Sequence, residues 1–280
     1  MKAYTTAVIL LILAATLVLA GCTAPAADTK IADTKAADMK AVAGELTTSI
    51  NASLGEIKAG LANTSGELST TGLSGTRAGA ALSQNLGHYP WAFSSVTVSR
   101  DGIVMAAVPG SPAVKPGMNW TGQAVVDEAN AAKAPRISEL FRMEEGTYGV
   151  SQSSPVFSPS GEYLGYVDIT YSPAIFLNSS IAPVMNRTGY DVWVIQSDGT
   201  EIFDTSPEEV GKNIITDAVY SDPSVKAVAE SIVKNPSATG KYTFWDRGWN
   251  GNVTKTAVWE TAGIDGAAWR IGVTREESAV

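Results

Sequence analysis

The chain has 280 residues, 45% of them hydrophobic, and carries a net charge of −8. That apolar share supports a buried core, and the acid excess argues against nucleic acid as a partner, because phosphate binding needs lysine and arginine patches. One cysteine, Cys22, excludes an internal disulfide, and with one histidine, His88, no cluster of the zinc-binding type is present.

The chain opens with a basic start, Met1-Lys2, and an apolar run from Ala7 to Ala20. That run is shorter than the roughly 20 residues a membrane span needs, so it reads as the apolar region of a signal peptide. Leu19-Ala20-Gly21-Cys22 resembles the lipobox of lipoprotein leaders. The resemblance implies removal of residues 1–21 and lipid attachment at Cys22. The mature chain is then expected outside the cytoplasm, held to the cell membrane by a multi-chain lipid. No second apolar run is long enough to cross a membrane, so any output is expected to pass through a partner or a captured ligand. Six Asn-x-Ser/Thr sequons, at Asn51, Asn63, Asn119, Asn178, Asn186 and Asn252, are either glycan sites or chance in a Ser/Thr-rich chain.

Residues 22–38 read as a flexible or weakly helical tether. Ala27-Asp28-Thr29-Lys30, Ala32-Asp33-Thr34-Lys35 and Ala37-Asp38-Met39-Lys40 repeat with little to bury. A long helical segment follows over residues 39–87. Met39, Val42, Leu46, Ile50, Leu54, Ile57 and Leu61 step by three or four and share one face. The stripe fades near Gly66, which predicts a break between Asn63 and Gly75.

From Tyr89 the pattern changes to short β-rich runs. Ser95 to Ser99, the turn Arg100-Asp101-Gly102, and Ile103 to Val108 form a hairpin signal. The unit recurs as Asp191 to Ile195, Ser197-Asp198-Gly199, and Thr200 to Phe203. The two Asp-Gly turns lie 97 residues apart, which points to an internal duplication. After the first hairpin a helix is predicted over Gly122 to Lys133. After the second, Ser206-Pro207-Glu208-Glu209 reads as a capping box, and a helix runs from Asp222-Pro223 to Asn235-Pro236. Strands close each copy: Tyr148 to Phe157 and Tyr163 to Tyr171, then Lys241 to Trp245, Thr254 to Glu260 and Trp269 to Thr274. The fold class is α+β, each copy an antiparallel sheet with helices on one face.

This order resembles a double Cache sensor domain, a long helix followed by two PAS-like modules. Asp191 to Asn213, ending in Gly211-Lys212-Asn213, is the best local match, with Ser154 to Gly161 and Leu164-Gly165-Tyr166-Val167-Asp168 beside it. The resemblance implies a first, membrane-distal module at 88–183 and a second, membrane-proximal one at 184–280. It also implies an extracellular role in binding small molecules such as amino acids, carboxylates or amines, with the pocket in the first module. The family's amino-acid binders carry Arg-x-Trp-Tyr before the closing strands. Here Arg136 and Arg142 lack the Trp-Tyr, and Thr170 stands where the family's aspartate is usual.

Strand alternation places Tyr166, Asp168 and Thr170 on one face, a carboxylate and a phenol suited to a ligand with donors or positive charge. Tyr148 and Ser151 on the preceding strand are candidates to join it. Arg136 or Arg142 is a candidate clamp for a carboxylate, or else a surface ion-pair partner. Trp120 is a candidate lid or a packing residue. Trp245, Trp259 and Trp269 are read as core in preference to a sugar or amine cage, and Asp246, Arg247 and Trp249, in a turn-rich segment, as part of a second site or a partner surface. Adjacent acids such as Asp127-Glu128 splay apart, and a Ser-His-Asp site would have to use His88, so no enzyme and no cofactor is expected. The function expected is a lipid-anchored sensor that reports a small-molecule ligand to a membrane kinase, chemoreceptor or permease. The alternatives are a solute-capturing lipoprotein serving a transporter and a structural surface lipoprotein.

Overall fold

The computed structural model describes residues 26–110, 114–143 and 146–277, with side chains described from Thr34 onward. Cys22 and the lipobox lie outside the described residues. The chain divides into two compact units, Met1–Lys35 and Ala36–Val280, and the second carries all that follows.

Helix α1 (Ala26–Thr71) begins inside the segment expected to be a flexible or weakly helical tether, and the helical alternative holds from Ala26. Alanine and lysine are strong helix formers, so the Ala-Asp-x-Lys repeats are compatible with helix even without a face to bury. From Met39 the predicted stripe is realised: Met39, Leu46, Ile50, Leu54, Ile57 and Leu61 are all buried. Each such side chain contributes roughly 1.5–3 kcal/mol when taken fully out of water. The helix stops within the predicted window. Gly72 and Gly75 take φ of +81° and +83°, a region that costs glycine little, and α2 (Gly75–Leu86) follows.

The first module's sheet has β1 (Ala92–Ser99), β2 (Val104–Val108), β3 (Arg136–Ile137), β4 (Phe141–Arg142), β5 (Tyr148–Phe157) and β6 (Tyr163–Tyr171). Its order is β2-β1-β6-β5-β3, with β4 also paired to β5. Helix α3 (Ala124–Ala132) crosses its front. The second has β7 (Asp191–Gln196), β8 (Glu201–Asp204), β9 (Ala238–Trp245), β10 (Asn252–Ala262) and β11 (Trp269–Glu276), in the order β8-β7-β11-β10-β9, with α5 (Pro223–Lys234) across its front. Both sheets are antiparallel and share one topology.

The duplication extends to hydrogen bonds. Ile103 bridges Asn119, and Thr200 bridges Asn213. Asn119 Oδ1 accepts from the Thr121 N–H, and Asn213 Oδ1 accepts from the Ile215 N–H. In the second copy Gly211 N–H donates to the Glu201 carbonyl and Asn213 Nδ2 to the Asp198 carbonyl. The Gly-Lys-Asn run therefore locks the tip of the hairpin.

One core cluster joins α1 to the backs of both sheets, through Val150, Val167 and Ile169 in the first and Val192, Val194 and Ile271 in the second. Helix α4 (Pro173–Thr188) contributes Phe176, Leu177 and Ile181. This helix was not anticipated, and the boundary expected between residues 183 and 184 falls inside it. Its signals are local: Ser172 caps it by accepting from Ile175 N–H at 3.3 Å, Pro173 fills the first turn, and Gly189 ends it at φ +74°. The capping box expected at Ser206 also does not form. Pro207–Glu209 is a single 3-10 turn, Ser206 makes no side-chain cap, and Glu209 is buried elsewhere. Trp259 and Trp269 are core residues, as read.

Candidate functional site

The front of the first sheet, beneath α3, gathers the residues expected to share a face. Ser153 pairs with Asp168 and Ser151 with Thr170, while Val96 and Val98 stand opposite Asp168 and Tyr166 on β1. Asp168 is 5% exposed. Its Oδ2 accepts from the Ser151 hydroxyl at 2.8 Å, and its Oδ1 has no partner among the described residues. Burial pushes its pKa up to about 7, against the easing effect of Ser151 and the Val96 main chain. Tyr166 is buried with Val96, Val98, Val126 and Ala129, and burial raises its phenol. Thr170 is half-buried beside them.

The other candidates lie apart from this face. Tyr148 stands three residues from Ser151, so alternation turns it to the opposite side of β5. Its ring covers Gly211 of the second module, where a Cβ would come within 2.3 Å of Tyr148 Cζ. Arg136 is ion-paired with Glu128, and Arg142 is exposed on β4. Trp120 is half-buried and packs against the Val96–Tyr166 cluster, the packing role rather than a lid.

The second module holds a cavity whose floor of acids, Glu201, Asp204 and Glu209, sequence reading missed. It lies between the front of the second sheet and α5, with about 640 Å³ of empty space including its open mouth. A β-bulge builds its floor. Trp193 pairs with Asp204 and Ile195 with Glu201, and the register shift between them turns Glu201 and Asp204 to the same side. Without that shift, residues three apart would face opposite ways. Glu209 arrives from the 3-10 turn, and its carboxylate with those of Glu201 and Asp204 offers ligand atoms within 4.8 Å of one another. Tyr220 Oη lies 2.8 Å from Glu201 Oε2 and 2.9 Å from Glu209 Oε2.

Burial raises all three acids, and repulsion from neighbouring carboxylates adds to it for Glu201 and Glu209. Glu201 lies well above the usual carboxylate range, Asp204 is pushed to about 6 and Glu209 to about 7. The apolar walls come from Trp193, Tyr242 and Phe244 on the sheet and from Val225, Val228 and Ile232 on α5. Arg247, a sequence candidate for a second site or a partner surface, pairs with Asp191 at the rim. The available signal was a glutamate set between the Asp-Gly turn and the apolar pair Ile202-Phe203, where a solvent-facing reading was equally natural.

The family model described as HK/GC/Chemotaxis protein-like, sensor domain, matches residues 52–173. An extracellular ligand binding receptor from Desulfohalobium retbaense is similar at 26% identity and a TM-score of 0.71, over 85% of this chain and 40% of that one. This chain thus spans well under half of that receptor's length. The ligand-binding domain of the Pseudomonas fluorescens chemoreceptor CtaA, solved with L-isoleucine, is similar at 13% identity and a TM-score of 0.69, covering 90% of this chain and 96% of that one. The ligand-binding domain of the Pseudomonas aeruginosa amino acid chemoreceptor PctC, solved with GABA, is similar at 14% identity and a TM-score of 0.63, over 86% and 99%. No curated protein matches. The long helix and paired antiparallel sheets are the fold of Cache-like chemoreceptor sensor domains, and the first module with part of α1 matches a chemotaxis-type sensor family. Among the described residues, no helix is long and apolar enough to cross a membrane.

Proposed function

We propose that this chain is a lipid-anchored, extracytoplasmic sensor that binds a small organic metabolite in its first module and reports occupancy to a membrane signalling partner. The reading is non-catalytic. The observation that carries it is Asp168: a buried carboxylate with one oxygen unpartnered, set on the sheet face beneath the helical crossover. A buried acceptor left without a donor costs about 1–3 kcal/mol, more when charged. A ligand that donates to it, an ammonium group above all, recovers that cost. The ligands named with the similar chemoreceptor domains, L-isoleucine and GABA, both carry such a group. Ser151, Tyr166 and Thr170 complete the face. Tyr148, Arg142 and Trp120 have no part in it, and Arg136 stays with Glu128.

Anchoring rests on the lipobox and Cys22. The signalling partner is required because a ligand shifts an equilibrium only by its preference for one state over another, and something must read that state. A thermal-shift screen of amino acids, amines and carboxylates tests the reading. A compound at a hundred times its Kd should raise stability by about 2.7 kcal/mol. Asp168→Asn should cut that gain at least by about half at the same concentration. A panel in which nothing shifts the midpoint, or a shift that Asp168→Asn leaves intact, counts against this site.

A further inference from the structure

The cavity of the second module is independent of the Asp168 face and is built around three crowded carboxyl groups. Tyr220 has one hydroxyl hydrogen and two carboxylates within bonding reach, Glu201 and Glu209. It can satisfy one. Glu201 is 2% exposed and Glu209 8%, so water is a poor substitute for the missing donor. Asp204 stands beside them, and its oxygens are partly spent on Ser206 N–H, the Thr205 hydroxyl and the Glu201 carboxyl. At the rim Arg247 is committed to Asp191. Lys255 leans over the Phe244 ring, 5.9 Å from its centroid, and is the remaining cation of the lining. The cavity therefore has three acids on its floor, one lysine on its wall whose charge eases Asp204 and Glu209, and empty space above.

We propose that this cavity is a second ligand site, specific for a small alkylammonium ion whose N–H groups fill the acceptors of Glu201, Asp204 and Glu209. Its hydrocarbon part lies against Trp193, Tyr242 and Phe244. The aromatic faces favour a cation over a neutral or anionic group. They also separate an organic ion from a metal. Calcium requires six to eight oxygens, and an apolar wall along most of the cavity leaves a hydrated ion poorly served. The site is additional to the sensor reading, since it lies in the other module and uses none of the Asp168 face.

Calorimetric titration of the full chain with n-butylammonium and putrescine tests the proposal, with n-butanol and calcium chloride as separate arms. The ammonium probes should bind. Glu209→Gln should weaken them by about 10-fold or more, equivalent to about 1.4 kcal/mol. Asp204→Asn, at a less buried position, should weaken them in the same sense and serves if Glu209→Gln does not fold. Asp168→Asn should leave this affinity unchanged. Failure of both ammonium probes to bind overturns the proposal, as does n-butanol binding as tightly or calcium alone binding. Ammonium binding lost in Asp168→Asn but kept in Glu209→Gln also overturns it, and would leave the first-module sensor reading standing.

Discussion

Gln152 donates from its side-chain amide to the main-chain carbonyl of Leu54, 3.1 Å away, across the buried interface between β5 and α1. Ser151, its neighbour, faces the other way and donates to Asp168. One strand thus carries both the candidate ligand contact and a direct grip on the long helix. The same helix holds the second module, because Asn51 Oδ1 accepts from Gly263 N–H at 2.8 Å and Lys58 pairs with Asp265 at 2.6 Å. A movement of β5 has a physical route to α1, and the second module is tied to that same helix.

Gln152→Leu keeps the volume and removes the donor to Leu54. The variant should bind ligand with unchanged affinity and lose ligand-dependent protection of the α1 amides around Leu54 in hydrogen exchange. Its stability should change by no more than about 1–2 kcal/mol, the scale of one buried hydrogen bond. Equal protection in variant and parent would remove Gln152 from the relay.

Asp168 sets a pH dependence with a definite sign. Its unfolded-state pKa is about 3.9, and in the fold burial lifts it to about 7. Between those values the native state holds a proton that the unfolded state has released. Stability therefore falls as pH rises through that window and levels off above it, by up to ~4 kcal/mol from this group. Asp204 and Glu209, also raised, act in the same direction. Urea midpoints should be higher at roughly pH 5 than at pH 8, and Asp168→Asn should flatten the slope. A steeper slope in the variant would contradict the assignment.

Gly165 has φ +144°, and a Cβ there would sit 2.0 Å from the Val98 carbonyl oxygen. Neither the backbone angle nor the partner strand can yield cheaply, because β1 and β6 are central in the sheet. Gly165→Ala should cost about 3 kcal/mol or more and lower the melting temperature sharply. A near-normal melt would show that the β1–β6 pairing is looser than described.

Much of this architecture is legible in the sequence because it follows from periodicity and turns. The α1 stripe, both Asp-Gly hairpins and the limits of β5 and β6 come from residue spacing alone. The misses have equally local causes. Tyr148 and Ser151 were placed together although an odd spacing separates strand faces. Ser206 to Glu209 has the letters of a capping box, but burial beside Tyr220 gives Glu209 a different role. The second cavity depends on a bulge at β8, and a one-residue register shift leaves little trace in sequence. Asp168 draws notice in the sequence because strand alternation groups it with Tyr166 and Thr170 on one face; Glu201 sits at a turn, where an acid is ordinary.

The central claim is that a small metabolite binds the first module through Asp168. Isothermal titration of the unmodified chain and Asp168→Asn, with a compound that raises the melting midpoint, tests it most directly. A single first-module site is expected, with affinity about 10-fold or more lower in the variant, while the variant's own fold stays at least as stable near neutral pH. Equal affinity in the two proteins, with the variant fully folded, would contradict it.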